Sequence, residues 1–190
     1  MRWKTTVLEH EEYVMTIEQF HKEIDRLVAP VKSCCARGCF ACCYEPVYAS
    51  RAEAQHIVDG LTEARKILVK ERLVDWLADA DLTSKTITSL RWRRLLIPCP
   101  LLKDNECSVY ERRPIGCRMF FAVSNPENCS GPARRHQLFV SYPKDITIAI
   151  AGTAWQIEPN IVMDHLGVHL ANILLGMNLE SSMCCKHQAE

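Results

Sequence analysis

The sequence predicts a mainly α-helical fold: a small helical domain with irregular cysteine-rich loops. Three observations carry that expectation. Apolar residues recur at spacings of three and four, helix-start signals stand just ahead of several such runs, and most of the 11 cysteines fall between the runs. At 190 residues and 48% apolar composition the chain is long enough to bury a core, and 24% charged residues is ordinary globular usage. Disorder throughout, coiled coil and collagen are all disfavoured.

The first helix is expected within residues 10–29, where Tyr13, Val14, Ile17, Phe20, Ile24, Leu27 and Val28 line one face ahead of Pro30. Ser50 followed by Glu53 is a capping-box pattern, which places a short helix at 51–60. Thr62 is a cap for a third helix at about 63–79, with Ile67, Leu68, Leu73, Val74, Trp76 and Leu77 as a broad apolar face. Residues 83–97 carry a helical pattern weakened by threonines and by Pro98. From 98 to 132 turn formers dominate, with a turn expected at Lys103, Asp104 and Asn105. Ile146 to Ile157 fits helix or buried strand, and a last helix is expected from after Asn160 through Leu175, with Gly176 at its end. No internal repeat or linker stands out, so residues 1–190 read as one domain, with a cysteine core at about 34–132 and a helical C-terminal extension at about 144–177.

Charge excludes some classes of function. Lys and Arg total 23, as do Asp and Glu. No global field therefore favours nucleic acid or an anionic membrane. The opening MRWKTTVLEHEEYV lacks the apolar segment of a secretion signal, and no run is long enough to span a bilayer. The expectation is a cytoplasmic protein, where clustered cysteines point to metal or redox chemistry rather than to disulfides.

Two clusters carry that chemistry. The first is CCARGCFACC, with Cys34, Cys35, Cys39, Cys42 and Cys43, in which Gly38 is placed to supply a positive φ. Two or three residues between thiols let a tight turn aim sulfurs at one centre while backbone amides donate to them. The second cluster is looser and comprises Cys99, Cys107, Cys117 and Cys129. Buried small hydrophobes would explain any one of these cysteines, but not five within ten residues.

At these residues the chain resembles the YkgJ-type cysteine-cluster family of zinc- or iron-chelating domains. The resemblance runs from about 35 to 131 through eight ordered cysteines, with Tyr110, Arg113, Pro114 and Arg118 between them. The final turn reads Cys129, Ser130, Gly131 where the family more often has proline in the middle, and Cys34, Cys184 and Cys185 are extras. The resemblance implies a metal-binding domain organised around Cys35, Cys39, Cys42, Cys43, Cys99, Cys107, Cys117 and Cys129, not all of which need share one centre.

A 4Fe–4S cluster is the leading expectation for the metal, since so many closely spaced sulfurs suit a multi-iron centre, and zinc is the alternative. The spacing of Cys35, Cys39 and Cys42 equals the three-ligand loop of radical enzymes that use S-adenosylmethionine, although the alternating strand and helix pattern of their barrel is absent. Such a centre would serve electron transfer or support an enzymatic reaction. A zinc-stapled interaction module without its own catalysis is the competing function. Flagellin lysine N-methylases carry a similar pattern, which makes S-adenosylmethionine-dependent methylation a third reading, though no glycine-rich methyl-donor loop is visible.

Buried thiolates need counter-charge. Arg37, Arg112, Arg113 and Arg118 lie within the loops, and at least one, with Arg113 and Arg118 the candidates, is expected to donate hydrogen bonds towards the thiolates, Arg112 to be solvated, and Tyr110 to be half-buried structure. His165 and His169, four apart with Asp164 beside them, read as a packed or surface pair rather than ligands. Cys184, Cys185 and His187 read as a free tail, and Trp3, Trp76, Trp92 and Trp155 as core or interface anchors. The sequence names no partner beyond an unidentified protein or small molecule.

Overall fold

A computed structural model of the chain describes residues 15–31, 33, 35–80, 96–120 and 163–179. Helix α1 spans Ile17–Val28 and is opened by Thr16, whose hydroxyl accepts from the Gln19 amide while the Gln19 side chain accepts from the Thr16 amide. This reciprocal cap satisfies two orphan donors and fixes the start seven residues inside the expected span. Tyr13 and Val14 lie outside the described residues. A single 3-10 turn at Ala41–Tyr44 and the two-residue strand β1, Tyr48–Ala49, follow. Helix α2, Arg51–Asp59, starts on the expected Ser50/Glu53 box.

Helix α3, Glu63–Ala80, begins where Thr62 Oγ1 accepts from the Arg65 amide. Its buried stripe is narrower than expected. Val69, Leu73 and Trp76 are buried, whereas Ile67, Leu68 and Val74 are 58%, 46% and 58% exposed. Spacings of four and three put the first group on a single line, and the other three side chains lie off it. The ambiguous stretch 83–95, with Trp92, lies outside the described residues.

Strands β2, Leu102–Lys103, and β3, Glu106–Cys107, pair antiparallel around Asp104 and Asn105, whose φ angles are 50° and 61°. That is the expected turn, in the two-residue form that requires positive φ at both central positions. A 3-10 turn at Tyr110–Arg112 leads to the short helix α4, Ile115–Arg118.

Residues 121–162, including Ile146–Ile157 and Trp155, lie outside the described part, as do Trp3 and the tail from 180. The last helix, α5, spans Leu166–Leu174, so residues 163–165 are not helical as expected. Asp164–His165 instead forms strand β4 against β1, pairing Tyr48 with His165 and Ala49 with Asp164. His165 is the cap of α5, its Nδ1 accepting from the Gly167 amide at 3.1 Å. Gly176, at φ 66°, ends the segment as expected.

The main core joins Ala54, Ile57 and Val58 of α2, Val69 and Leu73 of α3 and Leu166, Leu170 and Ala171 of α5 to Leu101 and Val109 of the second cysteine region. Phe20 and Ile24 of α1 pack separately on Ile115 of α4. Gly167 lets α5 lie on Trp76, since a Cβ there would stand 2.6 Å from the indole. No helix among the described residues is long and apolar enough to cross a membrane.

Candidate metal centre

The first cysteine loop is two consecutive tight turns. The Cys39 amide donates to the Ala36 carbonyl at 3.0 Å, with Gly38 at φ 88° in the third position, as a type II turn demands. The Cys43 amide then donates to the Phe40 carbonyl at 2.9 Å, placing Cys42 and Cys43 side by side on the 3-10 turn. The second region is fastened to the first by the Cys99 amide, which donates to the Cys43 carbonyl. Ser108 closes the base of the β2–β3 hairpin by donating to the Leu101 carbonyl through both its amide and its hydroxyl. Cys117 arrives on α4.

The turns and the hairpin bring six sulfurs to one space. Cys35, Cys39, Cys42, Cys43, Cys107 and Cys117 line a cavity of about 250 Å³, with Tyr110, Arg113 and the apolar side chains of Val28, Val31 and Phe120. Cys99 borders a separate cavity of about 170 Å³ with Arg72, Asp75 and Trp76, yet its charge is felt by Cys43 and Cys117. Among the described residues no three His, Cys, Asp or Glu donors meet at the spacing of a ligated ion. The six cysteines share a cavity wall without meeting at one point. Cys129, Cys34, Cys184, Cys185 and His187 lie outside the described residues.

The electrostatics of the thiols follow from crowding and burial. Cys42 is drawn down to about 7, chiefly because the Cys43 thiol hydrogen-bonds to it, and Cys43 is driven up by that same bond and by burial. Burial also raises Cys107, raises Cys117 strongly and lifts Cys99 to about 12. Opposing this, the backbone amides of Leu101 and Leu102 favour the Cys99 thiolate and that of Val109 favours the Cys107 thiolate. Amides two and three residues after a cysteine stabilise sulfur as an anion, the form in which it ligates metal.

The arginines divide. Arg113 stacks on the Tyr110 ring at 3.9 Å and lowers the cost of charge on Cys42, Cys107 and Cys117. Its Nε is buried without a hydrogen-bond partner among the described residues. Arg37, largely exposed, stands 5.7 Å from the same ring and 3.4 Å from Glu111. Arg118 is buried, and its hydrogen bonds go to the Asp25 carboxylate at 2.5 Å and to the Arg113 and Glu111 carbonyls, so in these contacts it serves the loop rather than the thiols. Arg112 is half-buried rather than a free surface charge, and its guanidinium donates to the His56 carbonyl at 2.9 Å. Tyr110 is half-buried. His165 and His169 are buried away from the thiol cavity, and His165 lies 4.9 Å from the Trp76 ring.

Glu53 is the residue that sequence reasoning undervalued. Beyond its capping role, its Oε1 accepts from the Ile115 amide at 2.6 Å and lies 3.2 Å from His21 Nε2, all buried. One carboxylate thus ties α1, α2 and α4 together and sets the position of the helix that carries Cys117. The capping box was the only local signal, and the partners lie 32 and 62 positions away.

The residues suit a thiophilic metal: six cysteines on one cavity, amides that favour two of the neighbouring thiols as thiolates, and a buried guanidinium nitrogen beside them without a hydrogen-bond partner among the described residues. No curated protein and no solved structure matches the chain. A family model does match over residues 33–135, more than half of the chain, and it contains every cysteine of the cavity. The chain belongs to the CxxCxxCC family, described as a putative zinc- or iron-chelating domain.

Proposed function

We propose that the protein holds an iron–sulfur cluster in its thiol cavity and uses it in electron transfer or in support of an enzymatic reaction. The single observation that carries this reading is six cysteines around one space of about 250 Å³. So many closely spaced thiols suit a multi-iron centre, which thiolates hold. When bound, the cluster would supply one-electron chemistry. The chain's own residues do the rest. Cys35, Cys39, Cys42, Cys43, Cys107 and Cys117 stand on the cavity with Cys99 close enough for its charge to be felt, the amides of Leu101, Leu102 and Val109 would offset part of the charge on Cys99 and Cys107, and Arg113 supplies a cation beside them.

One observation favours zinc instead. Cys99 and Cys107 flank a tight hairpin and receive amides, an arrangement that suits a structural ion and an interaction module without catalysis. Under either reading the partner, protein or small molecule, would meet a cytoplasmic chain. Anaerobic purification with iron, zinc and acid-labile sulfide analysis separates the two. Brown protein containing sulfide supports the cluster, and colourless protein with stoichiometric zinc overturns it.

A further inference from the structure

Helix α3 has two faces. Val69, Leu73 and Trp76 turn one into the core, and on the opposite side Ala64, Ile67, Glu71, Val74 and Ala78 are all exposed. Their spacings alternate between three and four, so the five form one line of about 21 Å, the pattern by which one helix packs lengthwise on another. Exposed apolar side chains are ordinary when scattered singly, but here four stand in register on one line. Charge indicates what covers it. Arg65, Lys66 and Lys70 stand in the first half of α3, whereas Glu71, Asp75 and Asp79 stand in the second, with no basic residue in the last turn. Arg72, the cation of the second half, is engaged by the Leu102 carbonyl. Apart from Glu63, that order is the reverse of what the helix dipole favours, so the stability of α3 alone does not explain it.

We propose that the chain associates with a second copy of itself through this face of α3, the two helices running antiparallel about a two-fold axis between Lys70 and Glu71. In that arrangement the basic half of each helix lies along the acidic half of the other, and the two helix dipoles oppose. Ile67 of each copy packs against Val74 of the second copy, and Lys70 of each meets Glu71 of the second copy. A two-fold interface demands such self-complementarity, and α3 carries it within a single helix. The line is short, so the dimer is weak and dissociates on dilution. None of Ile67, Lys70, Glu71 and Val74 lines either cavity, which makes the inference independent of the metal reading.

The test is equilibrium sedimentation of the full chain over a range of concentrations, with metal content and melting temperature followed in every variant. Wild type is expected to dimerise reversibly. K70E and E71K should each weaken self-association about tenfold or more, because either change sets like charges across the axis, while metal content stays at the wild-type level. Mixing K70E with E71K brings opposite charges back together and should restore association as a heterodimer. I67E/V74E should remain monomeric. A wild type that is monomeric at every concentration overturns the inference. So does a dimer that all three variants leave unchanged, since its interface would lie elsewhere, and so does a K70E and E71K mixture that fails to associate. Monomeric wild type with a much lower melting temperature in I67E/V74E would instead assign the face to another segment of the same chain, which also overturns it.

Discussion

The backbone N–H of Cys99 donates to the carbonyl of Cys43 at 2.7 Å. This bond uses no side chain, so the two cysteine loops are fastened together before any sulfur is engaged. Replacing the Cys99 thiol therefore leaves the junction intact and removes only a proposed ligand. C99S is expected to lose resident metal, and its melting temperature should match that of wild type stripped by a chelator. A C99S protein that retains full metal content would remove Cys99 from the ligand set.

Arg113 and Arg118 are predicted to separate in their effects. R113M takes the cation from beside three thiols, and metal affinity should fall about 10- to 100-fold, the usual cost of losing a group that supports metal ligands. R118M breaks the buried bonds to Asp25 and to two carbonyls, and should lower unfolding free energy by about 3 kcal/mol. Competition with a chromophoric chelator and urea unfolding measure the two. Equal loss of metal affinity in both variants would refute the division.

E53A strands the amides of Ser50 and Ile115 and the His21 ring in a buried setting. A cost of about 3–5 kcal/mol is expected, with E53Q intermediate because an amide still offers one acceptor oxygen. Because the same carboxylate places α4, metal retention should drop alongside stability. Urea unfolding of both variants, with metal content, checks this. A surface-like change below about 0.5 kcal/mol would show that the junction of the three helices does not depend on Glu53.

Burial holds His165 down to about 4, so between pH 4 and its ordinary value of 6.5 the unfolded chain takes up a proton that the folded one refuses. Stability is then complete above pH 6.5, declines as pH falls through that window by about 3 kcal/mol, and levels off below it. H165N keeps a side-chain oxygen that can cap α5 but no longer titrates. Urea unfolding against pH should show a shallower slope for H165N, and identical slopes would exclude His165 as the source.

Gly116 sits where a Cβ would come within 2.5 Å of the Tyr48 carbonyl, a backbone atom unable to swing aside. G116A should lose about 1–3 kcal/mol and displace α4 from β1. G176A is the contrasting control: nothing lies within 4 Å of its added methyl, so only the strain of φ 66° remains. Thermal melts of the two variants should therefore differ, with G116A the lower.

The parts of the fold legible in the sequence are those decided within three or four residues. The Ser50/Glu53 box, the Asp104–Asn105 turn and Gly38 could be read in place because each is a local contact or a local backbone demand. Long-range partners misled. Arg112 looked like a surface charge because His56 is 56 positions away, and Arg118 looked like a thiol partner because Asp25 is 93 away. The start of α5 was misplaced because residues 164 and 165 are claimed by β1, which no local pattern reveals. The cysteine spacing pointed to shared coordination, and six of the eight expected ligands line one cavity. Metal identity was not legible, since zinc and iron–sulfur centres accept the same thiolates.

Helix α5 has a practical bearing on how this protein is handled. Leu166, Leu170 and Ala171 lie beyond the matched residues 33–135 and yet complete the packing of α2 and α3. Trimming an expression plasmid to the family boundaries would strip the hydrophobic lid from Leu73 and Ile57, and the truncated product should aggregate even when supplied with its metal. Any portable version of the cysteine module has to carry that distant helix with it.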